Sequence, residues 1–137
     1  MRRAILFVLI VCACVCAPQV SFTEDAQTVR LARVIYTLAG ADGYEAKLAI
    51  GTVVMNRVES PWFPATIEGV LEGQQQFPCG SRYDADSLRA AHEVLAGART
   101  LGEDALYYQA KDASAKWGDA HKCAEVGNFD FYTEKGR

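Results

Sequence analysis

The sequence is short of the residues on which metal and nucleophile chemistry usually rest. It holds two histidines in 137 residues, His92 and His121, and neither has a serine or cysteine partner that would suggest a catalytic triad. Of five cysteines, Cys12, Cys14 and Cys16 crowd the first seventeen residues, leaving Cys79 and Cys123 for the rest. A site built from those two with His92 and His121 matches no familiar zinc spacing, so no metal or other cofactor is expected. Basic charge is scarce too: 14 Lys and Arg stand against 17 Asp and Glu, a net charge of −3. Phosphate binding needs a basic face, which argues against nucleic acid as a partner. There is no internal repeat and no low-complexity tract. The longest apolar run, Ala4 to Val15, is too short to span a bilayer comfortably.

What is present at the N-terminus has the pattern of a leader. Arg2 and Arg3 precede the apolar run, and small residues follow it, with Val15 and Ala17 at the positions a signal peptidase reads. Residues 1–17 are therefore expected to be a signal peptide cleaved after Ala17, and the chain to be exported. A short N-terminal anchor is the alternative. Val11-Cys12-Ala13-Cys14 also resembles a weak lipoprotein site, in which Cys14 would carry lipid. Loss of the two arginines takes the mature charge from −3 to about −5. An isolated cysteine pair in an exported domain is most simply a disulfide, so Cys79–Cys123 is expected.

The remaining length suits one domain with a single core, expected to be monomeric. Residues 18–30 read as a tether and the start of a first helix, with Ser21 and Glu24 forming a capping-box signature near Phe22 to Asp25. Residues 31–133 form the domain proper. Leu31, Val34, Ile35 and Leu38 recur at helical spacing and bury one helix face. Gly40 reads as a left-handed stop. Asp42, with Glu45 three residues on, reads as a cap and its capping-box partner starting a second helix, which carries Leu48, Ala49, Val53 and Asn56 along one side. Two helix ends meeting at such an elbow favour a cleft.

Farther along, Pro61 and Pro64 bracket Trp62 and Phe63 in an ordered turn. Thr66 caps a short helix, Ile67 to Leu71. Gly73 opens a polar loop. Asp84 or Asp86 caps a helix with Leu88, Ala91, His92 and Leu95 on one face, ended by Gly97. Ala105–Gln109 has strand propensity, and Gly127–Thr133 alternates Phe129 and Phe131 against Asn128, Asp130 and Tyr132, so an antiparallel pair is expected. The segment between them, Lys111 to Glu125, reads as polar. The fold class is α+β, a helical body beside a small antiparallel sheet.

The stretch Leu31 to Arg57, LARVIYTLAGADGYEAKLAIGTVVMNR, resembles the core of the SleB-type, spore-cortex-lytic cell-wall hydrolases. Tyr36, Thr37, Leu38, Ala39, Ala41-Asp42 and Asn56-Arg57 stand where that family has a tyrosine, a small residue, a glutamate, a small residue, a Gly-acid pair and Asn-Arg. The likeness continues through SPWFPATIEGVL, Gln76-Phe77, LRAAHEVLAG, ALYYQAKDASAKW and VGNFDFY, where Phe129 replaces a usual histidine.

The resemblance implies a lysozyme-like helical body and lytic-transglycosylase chemistry on the glycan strands of peptidoglycan. A buried glutamic acid protonates the glycosidic oxygen, an oxocarbenium-like centre forms, and the muramic acid 6-hydroxyl closes on the anomeric carbon. It also implies that the catalytic glutamate falls on Leu38, which cannot donate a proton. Asp42 and Glu45 are the nearby acids able to replace it, although both also read as helix caps and nothing more. Tyr36, Gln76, Tyr108 and Trp117 are the expected substrate contacts, with Trp117 and Tyr108 as a cleft pair. An active hydrolase with a re-sited acid and an impaired peptidoglycan-binding module are the two main readings; a structural or regulatory envelope protein that keeps only the fold is a third.

Overall fold

The computed structural model describes residues 24–73, 77–114, 117–118 and 121–134. The leader, and Gln76 with it, lie outside that set. Four helices precede a three-stranded sheet: α1 Ala26–Ala39, α2 Tyr44–Glu59, α3 Ile67–Glu72, α4 Ala85–Leu95, β1 Ala105–Ala110, β2 Lys122–Val126 and β3 Phe129–Thr133. The α+β expectation holds. Helix α2 is central because it is apolar on nearly every side, burying Ala46, Ala49, Ile50, Val53 and Val54, and it packs against α1, α3, α4 and β1. Its last turns are tied to β1: Asn56 Nδ2 donates to Gly102 O at 2.8 Å and Ala105 O at 3.0 Å, and Arg57 Nε donates to Leu106 O at 2.6 Å. Leu31, Val34 and Ile35 of α1 are fully buried against this core.

Several local expectations are corrected. Helix α1 is capped by Asp25, which accepts from Gln27 N and Thr28 N, while Glu24 reaches His92 on α4 at 2.9 Å. Gly40 is right-handed, at φ −60° and ψ −33°. Glycine stands there for room: a Cβ would lie 2.5 Å from Tyr36 O and 3.1 Å from its ring. Asp42 does not cap α2. The cap position is Gly43, without a side-chain hydrogen bond, and the elbow is held instead by the buried Lys47, whose Nζ donates to Asp42 O at 2.8 Å and Gly40 O at 3.5 Å.

On α4 the buried face is Ser87, Ala90, Ala91 and Val94. It is rotated from the expected one because small residues let the helix approach α2, where a Cβ on Gly51 would meet Val94 at 3.0 Å. His92 turns to solvent.

The sheet has order β1-β3-β2, antiparallel throughout. The polar segment hid β2. A two-residue Gly127-Asn128 loop joins β2 to β3, a hairpin signal present in the sequence. As the middle strand, β3 is paired along both edges, and Asp130 and Tyr132 are buried along with Phe129 and Phe131. The expected disulfide is absent: Cys79 and Cys123 are free, exposed thiols. They belong to different neighbourhoods. Cys79 precedes Gly80, which is bonded to Thr37 on α1, whereas Cys123 sits on the edge strand β2, where burial and then Asp104 push its thiol pKa up.

Candidate active site

The last turn of α1, the elbow, the end of β1 and the β2–β3 hairpin enclose a cleft of about 600 Å³, well within the range of ligand sites. Leu38 forms part of its wall because α1 buries the Leu31–Val34–Ile35 stripe and leaves residue 38 half-exposed at the stripe's edge. Asp42 reaches the cleft because Gly43, and not Asp42, occupies the cap position. Its Oδ1 accepts from Asn128 Nδ2 at 2.7 Å, which joins the elbow to the hairpin. The hairpin approaches this closely through Gly127, at φ +56°, where a Cβ would stand 3.3 Å from Asp42 Oδ1 and 3.2 Å from Ala46 Cβ.

Tyr108 lies in the same wall, with its ring 5.6 Å from Phe77 and 6.1 Å from Phe129. Burial pushes its phenol pKa up to about 12, against a smaller opposing influence from Arg57. It therefore stays protonated at neutral pH. Thr37 fixes the neighbouring loop, accepting from Gly80 N at 2.9 Å while donating to Arg33 O at 2.7 Å. Lys111 and Asp112 complete the polar rim. Lys111 N donates to Asn128 O at 2.8 Å, and its Nζ faces Glu125 at 3.5 Å.

Three residues singled out from sequence, Leu38, Asp42 and Tyr108, thus share one cleft. Others do not line it. Glu45 is exposed on the first turn of α2, and Tyr36 is half-buried beneath Gly40. Trp117 belongs to a different aromatic row, 6.3 Å from Tyr107 and 5.0 Å from Tyr132, with its N–H on Gln109 Oε1 at 2.9 Å. Tyr107 and Tyr108 are adjacent on β1 and point to alternate sides, so Trp117 and Tyr108 are not a pair across one groove. Sequence reasoning missed Asn128, Lys111 and Asp112. The Gly-Asn hairpin signal would have placed Asn128 at a loop tip, but nothing local marks it as Asp42's partner, 86 residues away.

The cleft offers an apolar wall of Leu38, Ala110 and Phe129, two carboxylates in Asp42 and Asp112, and donors from Asn128, Lys111 and Tyr108. An apolar surface with a few polar groups around it suits a ring-shaped polar ligand such as a sugar.

The family model for cell wall hydrolases matches residues 41–132. The spore cortex-lytic enzyme of Bacillus subtilis (strain 168) is 33% identical over 93 residues, covering 64% of this chain and 30% of that protein. The enzyme of the same description from Halalkalibacterium halodurans is 28% identical over 93 residues, covering 64% and 28%. The chain thus spans under a third of the length of these curated relatives. The catalytic domain of the Bacillus cereus SleB protein superposes with a TM-score of 0.69 at 24% identity, over 78% of this chain and 89% of that one. The catalytic domain of the germination-specific lytic transglycosylase SleB from Bacillus anthracis gives 0.70 at 24%, over 83% and 100%. At that identity the likeness is one of fold.

Proposed function

The chain belongs to the cell wall hydrolase family, and on that premise we propose that its Leu38–Asp42 cleft engages the glycan strands of peptidoglycan as an exported, monomeric domain that cleaves them weakly. The observation that carries this reading is the meeting of Leu38, Asp42 and Tyr108 in one cleft of ligand size. The resemblance puts the family's general acid at residue 38, three residues before the family match begins. General acid catalysis contributes about 100- to 10,000-fold, so a leucine there removes most of the expected rate. Asp42 is favoured over Glu45 as the substitute acid because it lines the cleft.

In lytic-transglycosylase chemistry the acid protonates the departing glycosidic oxygen as the C–O bond breaks. The sugar's own 6-hydroxyl then closes on the anomeric carbon, giving up its proton to the carboxylate just formed. No second carboxylate across the bond is needed, as it would be for water attack. Leu38 in the wall favours a second reading, a module that holds glycan without cutting it.

The test is turnover of purified sacculi by the native chain, Leu38→Glu, Asp42→Asn and Glu45→Gln. The enzyme reading expects slow native turnover, abolished in Asp42→Asn and kept in Glu45→Gln. Inactivity of the native chain with retained sacculus binding selects the binding module. Neither turnover nor binding defeats both.

A further inference from the structure

Arg57 lies at the far end of α2 from the elbow. It is 3% exposed, and among the described residues its Nε alone has a protein acceptor, Leu106 O. Among the described residues no oxygen accepts from Nη1 or Nη2, and no carboxylate pairs with the guanidinium. The flanking groups are aromatic faces instead: the Phe63, Phe77 and Tyr107 ring centres lie 4.8, 4.9 and 5.3 Å from Cζ. These faces stabilise the cation but accept none of its four remaining in-plane N–H bonds. Burial brings the Arg57 pKa down to about 10, so the group is still charged at neutral pH. The terminal N–H groups, with no protein acceptor among the described residues, are free to take an anion that reaches them.

The space for one exists. Arg57, Trp62, Phe63, Pro64, Val70 and Gly73 line a cavity of about 190 Å³, separate from the cleft at Leu38. Trp62 stands exposed at this site. We propose that this cavity binds a small carboxylate, received edge-on by the two terminal nitrogens of Arg57 while the carbon skeleton rests on Phe63, Pro64 and Val70. The planar fork of arginine matches a carboxylate in this bidentate way. The cavity volume admits a two- to four-carbon acid, free or borne on a sugar. This inference does not rest on the proposed cleavage chemistry.

The test reads the side-chain ¹⁵N–¹H signals of Arg57 in the full native chain, titrated with sodium acetate, sodium lactate or N-acetylmuramic acid. Sodium chloride at equal ionic strength and N-acetylglucosamine, which lacks a carboxyl, are the controls. Saturable shifts and slowed Nη rotation with the carboxylates alone are expected, and at least about tenfold weaker binding in Val70→Leu, which narrows the cavity and keeps the arginine. A response to acetate and lactate identifies free acids as ligands; a response to N-acetylmuramic acid alone identifies a sugar-borne carboxyl. Either supports the site. A response no different from chloride overturns it, as does undiminished binding in Val70→Leu. So does an Nη signal already locked without ligand and released by Asp119→Asn, Asp119 being the one acidic side chain outside the described residues.

Discussion

At the entry to α4, Asp84 accepts from Ser87 N at 2.7 Å; at the entry to α2, no side chain caps at all. The exits differ in the same way. Helix α4 ends with Ala98 N on Glu93 O and Gly97 N on Val94 O, with Gly97 at φ +109°, the pairing of a Schellman motif. The elbow after α1 keeps Gly40 right-handed and relies on Lys47 Nζ to satisfy the carbonyls of Gly40 and Asp42. Helix α4 is closed by its own neighbours in sequence, whereas the elbow is closed by atoms brought in from elsewhere. The consequence is positional: the Asp42 carboxylate, not spent on a cap, lines the cleft and accepts from Asn128.

The largest effect expected from breaking this contrast is catalytic. Leu38→Glu places a carboxyl on the wall beside Asp42, where partial burial favours its neutral form. Sacculus turnover should rise by about 100-fold over the native chain. No gain, in a variant with native thermal stability, would mean that residue 38 is not the acid position.

Next in size is Lys47→Met. It deletes the buried charged donor and leaves two carbonyls unpaired, and urea denaturation should show a loss of about 2 kcal/mol. A loss under about 0.5 kcal/mol would mean that the elbow holds itself.

The two glycines sharpen the comparison further. Alanine at Gly97 meets backbone strain and should cost about 1–2 kcal/mol; alanine at Gly40 meets Tyr36 O and should cost about 1–3 kcal/mol. Asparagine tolerates positive φ, so it should recover part of the loss at 97 and none at 40. Recovery at both would erase the difference between the exits.

The smallest expected effect is that of Asp84→Ala, at about 1 kcal/mol. Hydrogen bonding from Ser87, the largest of the influences, holds the Asp84 carboxyl below the usual carboxylate range against the opposing effect of burial. Its contribution is therefore complete above the unfolded value near pH 4 and fades as pH falls through the lower folded value. The native chain and Asp84→Ala should converge in stability below that point. A gap that persists into strong acid would assign the effect to something other than the cap.

What was legible in the sequence follows the same division. The α1 stripe, the Thr66 cap, the Pro61–Pro64 turn, and the β1 and β3 strands are written in residues a few positions apart, and they stand as read, while of the two cap candidates for α4 the structure selects Asp84. Strand β2 was missed because its exposed edge carries little apolar pattern, although the Gly-Asn loop announced it. Gly40 was misread because one residue type answers two demands, a positive φ or a lack of room, and only the position of Tyr36 tells them apart. The disulfide was misread because counting cysteines says nothing of where a loop and an edge strand lie.

The sequence by itself determined the helices, the Thr66 cap, the family and the leucine at position 38, since each rests on local spacing or on matched residues. Only the tertiary structure decided that Asp42 faces the cleft and Glu45 does not, that Trp117 and Tyr108 stand apart, and that Arg57 is buried without a carboxylate among the described residues. Those outcomes depend on which surfaces meet when α2 is enclosed, and the partners that settle them, Asn128 for Asp42 and Leu106 for Arg57, lie 86 and 49 residues away along the chain.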